Sequence, residues 1–466
     1  MFRSIANTFA NCFKIPELKS RILFTLGLLA VCRLMAWIRI PGLNGTALTE
    51  FFSHNSGGGV LGMYNTFAGG ATEHCAVGSL GIMPYISATI IIQLLTAVWP
   101  KLSKLAREEN GRSKIVQYGR YLTVALCLGQ GWFFAMGYEH PEKIFGQGIG
   151  KLVLYGDDQI WWYRIQATLI MTTGTMLLMW LGEQITERGI GNGVSLVITI
   201  GIVARLPRAL VSVKEMFWPP GGMQSQYHLA GTGVMLMILL VLVIGGVIAI
   251  TQAQRKIPVQ YAQRAVGRKM YSGGTSFMPL RVNFSGVMPI IFAQSILMFP
   301  QTIFERAANI QPFVNVPFLH DLFLGVARNL NSGSVLYLTL YSVMILFFAY
   351  FWVATQFNEL QIADDLKKNG GYIPGVRPGQ GTSDYLHKSM SRITLAGAIF
   401  LMVIATIPII MYREMSIPYE VSQFFGGTSI LITVGVLLDT MRQVESHLMM
   451  RHYDGFLKKG RLRGRF

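Results

Sequence analysis

Charged side chains are scarce in this chain. Only 14% of its 466 residues are Asp, Glu, Lys or Arg, whereas an ordinary soluble domain has about 25%. Whole stretches hold almost no charge, and 52% of all residues are hydrophobic. Such stretches would not stay in water. The composition therefore excludes an ordinary soluble enzyme and indicates one membrane-embedded bundle with little material outside the bilayer.

Residues that usually carry catalysis or bind metals are few, and their spacing does not suit either task. The cysteines form no CxxC pair and no metal-ligand pattern, which is typical of small buried hydrophobic side chains: Cys12, Cys32, Cys75 and Cys127. The histidines include no HExxH, and no Walker motif is present. Gly189, Gly191 and Gly193 lack the spacing of a dinucleotide loop. We expect no enzyme activity, no metal and no cofactor, so any ATP hydrolysis must come from a partner.

Apolar stretches of roughly twenty residues recur along the chain. A helix of about twenty residues, rising about 1.5 Å per residue, crosses a hydrocarbon core about 30 Å thick. The sequence therefore predicts an all-α polytopic membrane protein with ten transmembrane helices. The predicted spans are 21–40, 75–98, 117–138, 163–182, 193–211, 232–251, 284–303, 334–355, 393–412 and 425–441.

The count of spans predicts two halves of five helices each. A short segment, 1–20, precedes the first half (21–211), the second half is 212–441, and a basic tail, 442–466, follows. An inverted arrangement of the halves would place a pathway between them. No sequence repeat between the halves is evident, so this prediction rests on the count alone.

Basic residues are distributed unevenly. The formal net charge is +17, and most Lys and Arg residues lie in six segments that fall on one side of a ten-span chain. Those segments are 1–21, 99–120, 182–190, 252–282, 356–392 and 442–466. Loops rich in Lys and Arg remain in the cytoplasm, so we expect both termini there. Arg33 is an exception inside the first span, and we expect it to snorkel outward or to face the bundle interior.

Three regions outside the spans are unusual. The glycine-rich stretch 57–71 is too short to cross a bilayer, and we expect it to fold back into the protein, where irregular backbone is tolerated; a flexible outer loop is the alternative. The loops 252–282 and 356–392 are long for connections between packed helices. Their charge could serve only to set topology, but topology does not need loops of about thirty residues.

Several predicted spans carry isoleucine or valine where a central pathway could pass. Ile82 and Ile86 lie one helical turn apart, as do Val194 and Ile198, whereas Ile291 and Ile432 belong to later spans. Taken alone, each side chain is typical of a lipid-facing or core position, and helical spacing does not show that they meet. Ionisable groups at membrane depth, which an ion-coupled transporter needs, are scarce.

Six collinear strings resemble the SecY family of protein-conducting channels. They are Gly81–Leu95 (GIMPYISATIIIQLL), Gly174–Gly193, Val282–Pro289, Asp365–Gly379, Phe425–Ser429 and Asp439–Arg442. The resemblance extends from the second span to the tenth. It implies ten helices in two pseudo-symmetric halves that open like a clamshell, and a central channel subunit that passes unfolded secretory polypeptides and releases apolar segments sideways into lipid.

The resemblance also implies roles for individual residues. The constriction ring would be Ile82, Ile86, Val194, Ile198, Ile291 and Ile432, with Val194 smaller than the isoleucine pattern expects. The plug segment, 57–71, would include Gly62, Met63, Tyr64, Asn65, Phe67, Gly69 and Gly70. A lateral gate would use Ser87, Gln93, Asn192 and Phe299. Partner docking would use Arg264, Arg268, Lys269 and Arg377.

Partners and location follow from the same resemblance. It implies the small membrane subunits SecE and SecG, the SecA motor, the ribosome, signal sequences with their nascent polypeptides, and the lipid of a bacterial inner membrane. The basic loops suit either ribosomal RNA or acidic patches on a motor, and composition does not rank the two. Without the resemblance, a secondary transporter of the inverted-repeat type is the main alternative, and a passive assembly scaffold is a third.

Overall fold

We describe a computed structural model of the chain. The structure describes residues 15–54, 60–108, 111–139, 141, 152–218, 229–261, 264–266, 269–271, 275–308, 317–330, 334–415, 417–426 and 428–459. Helices dominate these residues, and a few short strands lie between them. Contacts divide the chain into two compact units, one formed by Met1–Glu215 with Ile432–Phe466 and the other by Met216–Leu431.

In the described residues, the first unit contains nine helices in addition to most of the last helix of the chain, which returns to it. They are α1 (Pro16–Met35), α2 (Gly45–His54), α3 (Val60–Phe67), α4 (Met83–Val98), α5 (Pro100–Arg107), α6 (Gly111–Glu139), α7 (Ile160–Arg188), α8 (Gly193–Ala204) and α9 (Leu206–Phe217), whose end crosses into the second unit. α6 packs on α7 and α4, and α8 packs on α7, α1 and α3. The short helix α3 is therefore held among long helices.

The second unit has a similar helical character. Its helices are α10 (Val234–Gln252), α11 (Met288–Ala308), α12 (Pro317–Asn329), α13 (Val335–Gln356), α14 (Glu359–Lys368), α15 (Gln380–Glu414) and α16 (Tyr419–Gly426). The last helix, α17 (Thr428–Lys459), begins in this unit and continues in the first. α13 packs between α11 and α15. The predicted halves, 21–211 and 212–441, stay a prediction.

Each predicted span coincides with a helix, and the prediction of a helical polytopic membrane protein is confirmed. In the described part of the chain, six helices are long and apolar enough to cross a membrane. A seventh candidate is α4 with the start of α5, a pair bent by 103°. The exact number of ten crossings stays a prediction.

Two predicted boundaries were wrong. The first span was placed at 21–40, but α1 ends at Met35, and the chain beyond it pairs with the stretch before α4: the Ile40 N–H donates to the Cys75 carbonyl at 2.9 Å. The second span was placed at 75–98, but its helix starts at Met83. Gly81 has a φ of +57° and interrupts the helix, and Pro84 is preorganised for the first helical turn.

The loops 252–282 and 356–392 form one small sheet, which the sequence analysis did not anticipate. Strand β1 (Gln254–Tyr261) pairs antiparallel with β4 (Thr275–Arg281) and with β5 (Gly371–Tyr372), so the order is β4-β1-β5. Strands β2 (Arg264–Val266) and β3 (Lys269–Tyr271) form a separate antiparallel pair. Ile257 and Val259 alternate inward along β1 and pack with Phe357 and Leu386. The two loops are therefore one folded unit on the helix ends.

Two arginine–glutamate pairs join α6 to α7, one near each end of the helical pair. Arg120 makes two hydrogen bonds to Glu183, at 3.2 and 2.7 Å, and Arg164 makes a similar forked contact with Glu139, the shortest at 2.8 Å. Within each helix the paired residues are about nineteen positions, or about 28 Å, apart, close to the thickness of a hydrocarbon core. The pairs therefore lie at the two edges of an apolar layer.

The more buried pair should contribute more to stability. The Arg164 and Glu139 side chains are 19% and 11% exposed, whereas Arg120 is 43% exposed. We expect Glu139→Gln to cost about 3 kcal/mol, because it leaves a mostly buried guanidinium without its counter-charge, and Glu183→Gln about 1 kcal/mol. The midpoint of thermal unfolding in mild detergent measures both. The exchanged pair Glu139→Arg with Arg164→Glu should recover most of the loss, and equal losses in the two single variants would contradict this ranking.

Candidate plug and constriction site

The end of α3 is fixed by a backbone motif that requires glycine. The Gly69 N–H donates to the Thr66 carbonyl and the Gly70 N–H to the Asn65 carbonyl, at 3.2 and 2.9 Å. Both glycines have a positive φ in the left-handed region, +66° at Gly69 and +86° at Gly70. This pattern is a Schellman motif, which satisfies the last carbonyls of a helix. The chain therefore turns sharply after α3 toward the stretch that precedes α4.

A buried carboxylate ties α3 to its surroundings. Glu73 is 8% exposed, and its Oε2 accepts hydrogen bonds from Asn65 Nδ2 at 2.9 Å and from Arg208 Nη1 at 2.8 Å. The Glu73 N–H also donates to Asn65 Oδ1 at 3.3 Å. Asn65 lies on α3 and Arg208 on α9, so a single acid connects three segments. A buried charge of this kind persists only when it is paired and hydrogen-bonded.

Two further arginines bind the C-terminal end of α3. Arg205 Nη1 donates to Thr66 Oγ1 at 2.6 Å, and Arg33 Nη1 donates to the Gly69 carbonyl at 2.8 Å. The C-terminal end of a helix carries partial negative charge, so cations are favoured there. Arg33 thus faces the bundle interior, which was one of the two outcomes expected for it. It comes from α1, whereas Arg205 lies between α8 and α9.

His74 lies beside this acid but does not supply its counter-charge at neutral pH. Its Nε2 is 3.7 Å from Glu73 Oε1, and its ring stacks on Trp37 with centroids 4.7 Å apart. Burial lowers the pKa of His74 below its ordinary value; the Glu73 carboxylate opposes this shift, and Arg39, Arg208 and Arg33 add to it. The imidazole is therefore mostly neutral at pH 7, and Arg208 is the positive partner of Glu73.

The irregular chain between α3 and α4 finds hydrogen-bond partners within the protein. The Tyr64 hydroxyl donates to the Leu80 carbonyl at 2.9 Å, and the Thr175 hydroxyl, on α7, donates to the Gly81 carbonyl at 3.0 Å. The Val77 N–H donates to the Ile38 carbonyl at 2.8 Å. These bonds allow irregular backbone to stay buried inside a membrane protein.

A cavity of about 30 Å³ lies where this segment meets the helices of the first unit. Its walls combine one predicted ring residue with the plug segment and with α1, α7 and α8: Cys32, Arg33, Ala36, Phe67, Ala68, Ala71, Gly78, Gly81, Ile82, Leu178, Val197, Ile200 and Gly201. Gly69 lies against Gly201, where an added Cβ on Gly69 would approach the Gly201 Cα to 2.8 Å. The plug segment is thus seated directly on α8.

The structure places five predicted ring residues in the first unit. Ile82 directly precedes α4 and Ile86 lies in it; Val194 and Ile198 lie on α8, and Ile432 on α17. Val194 is half-buried and the other four are buried. Ile82 shares the cavity with Val197 and Ile200. Ile291, on α11, is buried in the second unit. The meeting of all six side chains stays a prediction.

The predicted gate residues have varied surroundings. Ser87 is buried and Gln93 half-buried on α4, and Gln93 Oε1 has no hydrogen-bond partner among the described residues. Asn192 is exposed and caps α8, its Oδ1 accepting from the Ser195 N–H at 3.3 Å. Phe299 lies in α11, but its side chain is outside what the structure describes. A lateral gate at these positions stays a prediction.

Among the predicted docking residues, Arg377 is exposed in the turn before α15. Arg264 begins β2 and Lys269 begins β3, although their side chains are outside the description. Arg268 and the plug residues 57–59 lie outside the described residues, as does the side chain of Met63, whereas the backbone of Gly62 lies in α3. Tyr64, Asn65 and Phe67 are buried within the site described above.

The sequence analysis missed the roles of Glu73, Arg205 and Arg208. One signal was available: Arg33, Arg205 and Arg208 are cations at the ends or inside of apolar spans, where an acid or an array of carbonyls must meet them. Their partners follow only from the fold, because Glu73 and Arg208 are far apart in sequence.

Comparison with known proteins decides the family. The SecY family model matches residues 76–441. The chain belongs to the SecY family. The protein translocase subunit SecY of Chlamydia trachomatis is 40% identical over 467 residues, covering 98% of this chain and 99% of the relative. This SecY family member is thus related to a translocase subunit along nearly its whole length.

Solved structures show the same fold. One, described as the structure of a protein conducting channel, has a TM-score of 0.58 at 15% identity and covers 95% of this chain and 94% of its own. Another, Sec61 in the canine ribosome–channel complex from the endoplasmic reticulum, has a TM-score of 0.54 at 15% identity, with 95% and 94% covered. This SecY family chain is therefore a multi-pass membrane protein with the fold of those channels.

Gly69 and Gly70 offer a matched test of how the plug segment is seated. Alanine in the left-handed region costs about 1–2 kcal/mol at either position. At Gly69 the new Cβ would also meet Arg33 Nη1 at 2.7 Å and the Gly201 Cα, whereas at Gly70 the nearest atom is Glu73 Oε1 at 3.4 Å. We expect Gly69→Ala to lower the midpoint of thermal unfolding clearly more than Gly70→Ala. Equal shifts would mean that the contact with α8 does not hold the segment.

Proposed function

We propose that this chain is the central channel subunit of a Sec translocon. It passes unfolded secretory polypeptides across the plasma membrane and releases apolar segments laterally into lipid. The observation that carries this proposal is the match to the SecY family over residues 76–441, joined to a buried plug segment seated beside Ile82. The chain has no Walker motif, so a partner supplies the driving force and the channel itself is not an enzyme.

The constriction is a ring of branched apolar side chains. Ile82, Ile86, Val194, Ile198, Ile291 and Ile432 form its wall. A narrow apolar neck excludes ions by dewetting, without a tight polar filter. It offers a passing polypeptide no strong charge or hydrogen-bond site, and its side chains shift to admit chains of different width. The plug segment adds a second barrier against this ring.

Sideways release requires a gate that opens toward lipid. Ser87, Gln93, Asn192 and Phe299 line it. Leu and Ile favour the membrane by about 0.3–0.6 kcal/mol per residue at a helix centre, so an apolar segment of about twenty residues accumulates enough free energy to leave the pore. A polar secreted segment gains nothing by leaving and continues through the channel.

The basic loops suit partners on the cytoplasmic side. Both termini are cytoplasmic, because Lys and Arg concentrate in the six segments that would share one side of a ten-span chain. The bilayer is a bacterial inner membrane, which the relationship to bacterial SecY subunits supports. Arg264, Arg268, Lys269 and Arg377 contact the ribosome or the SecA motor, and SecE and SecG are the small membrane partners. The support is the folding of both loops into one sheet and the ribosome complex in which one structure of the same fold was solved.

A polar substitution in the proposed ring should make the channel leak ions. We expect Ile291→Asn and Ile432→Asn each to raise ion conductance across a planar bilayer severalfold over the native channel, because an amide in the neck favours water there. Ile399→Asn is the matched control, since Ile399 is 47% exposed on the outer face of α15. Native conductance in both ring variants, or an equal rise in the control, would remove Ile291 and Ile432 from the ring.

We expect a charge reversal at Arg377 to impair docking of the partner without impairing folding. Arg377 is exposed in a turn, and its backbone carbonyl accepts a hydrogen bond from the Thr382 hydroxyl at 3.0 Å. We expect Arg377→Glu to reduce SecA-driven translocation into vesicles about tenfold or more, because the reversed charge repels an acidic patch. The matched control is Lys388→Glu, which makes the same charge change at an exposed position within α15. Normal transport by Arg377→Glu would rule out the docking role.

A further inference from the structure

We propose that Glu73, Arg208 and Asn65 form an ionic latch that holds the plug segment shut. The inference rests on the proposed function, since it assigns a device to the plug that the function requires. We call these three residues the Glu73 latch. They are positioning residues, because they act on the channel by holding α3 in place rather than by touching the passing polypeptide.

The geometry makes Glu73 the centre of the latch. One oxygen, Oε2, accepts from both Asn65 Nδ2 and Arg208 Nη1, at 2.9 and 2.8 Å. Asn65 is fully buried, and its Oδ1 accepts from the Glu73 N–H at 3.3 Å. Asn65 is therefore held at both ends of its amide by a single residue. Because Glu73 bridges the two helices, movement of α3 away from α9 must break either the amide contacts of Asn65 or the ion pair with Arg208.

The hydrogen bonds and the ion pair of the Glu73 latch depend on one another. Hydrogen bonds to an ionised group are stronger than neutral ones, and a buried ion pair that loses one partner leaves an uncompensated charge. The Glu73 side chain is 10% exposed and that of Arg208 29%. Arg208 thus has a path to water when the latch opens, whereas Glu73 does not. The latch is stable while closed, and loss of either charge weakens it sharply.

Two other contacts of α3, both with arginines, do not involve an ion pair. Arg205 donates to a hydroxyl on Thr66, and Arg33 donates to the backbone carbonyl of Gly69. Neither contact is with an opposite charge. Tyr64 and the cavity wall contribute apolar packing and one hydrogen bond to a carbonyl. Among these contacts of α3, the Glu73 latch is the one that includes an ion pair. Its removal should therefore free the segment without unfolding the helical bundle.

A native cysteine reports whether the segment leaves its seat. Cys32 is 6% exposed and lines the cavity together with Phe67 and Ala68 of the plug segment. When α3 moves away, a membrane-impermeant maleimide can reach the Cys32 thiol through the opened cavity. A cooperative thermal unfolding transition of the same preparation monitors the rest of the fold. Mass spectrometry of the labelled peptide reads Cys32.

The test uses purified full-length channel, with its native partners, in vesicles. We expect Glu73→Gln and Arg208→Gln each to label Cys32 about tenfold faster than the native chain, and the double variant no faster than the singles, because each single change already breaks the pair. Lys214→Gln removes a charge from an exposed position of the same helix, α9, and should label at the native rate. A cooperative unfolding transition well above the assay temperature should remain in every variant.

The same vesicles distinguish failure of the latch from failure of the channel assignment. Ion efflux from the vesicles is measured in parallel with the labelling of Cys32. Native labelling of Cys32 in both single variants overturns the latch and leaves the proposed function standing. Fast labelling of Cys32 with native ion efflux supports the latch but contradicts the sealing role of the plug segment.

A second set of variants covers the case in which a single charge change unfolds the protein, which loss of the thermal transition would reveal. Glu73→Asp keeps the charge and shortens its reach, so the protein should stay folded while Cys32 labels faster than in the native chain. Asn65→Ala keeps the ion pair and removes the amide that joins α3 to Glu73, so Cys32 should again label faster. If Cys32 labels at the native rate in both variants, these contacts do not hold the segment and the latch is wrong.

Discussion

Irregular backbone buried inside a membrane protein must find its hydrogen-bond partners within the protein, and this constraint governs the first unit. The stretch between α3 and α4 has no regular structure, yet its peptide groups meet partners from several helices. Ile38 pairs with Val77, Thr175 donates to the Gly81 carbonyl, and Tyr64 donates to the Leu80 carbonyl. Lipid offers these peptide groups no hydrogen-bond partners, so this irregular segment is stable only inside the helical bundle.

Charge placement follows from the same constraint. Arg33 is costly in an apolar span, and its Nη1 binds the Gly69 carbonyl. Glu73, Arg208 and Asn65 satisfy one another in a single cluster. Arg33 and Ile82 both line the cavity beside this segment. The proposed plug segment is thus held by polar contacts close to an apolar side chain of the proposed ring.

Much of the fold was predictable, because hydropathy over about twenty residues reports membrane burial directly. The helices matched the predicted spans, and glycine in 57–71 indicated a segment folded into the protein. The sequence did not reveal the strands in the basic loops, although Ile257 and Val259 alternate along β1. It also did not pair Glu73 with Arg208, because contact between distant residues depends on packing that no local pattern encodes. The start of α4 was missed because hydropathy does not distinguish helix from buried turn.

The most direct test of this account is hydrogen–deuterium exchange of the backbone amides in residues 64–81 of the channel reconstituted in a bilayer. If the segment is held inside the bundle by its internal hydrogen bonds, the amides of Ala76, Val77 and Gly78 should exchange about as slowly as those in the middle of α7, because both must open locally before exchange. Exchange of these amides at the rate of an unstructured peptide, with α7 still protected, would contradict the account.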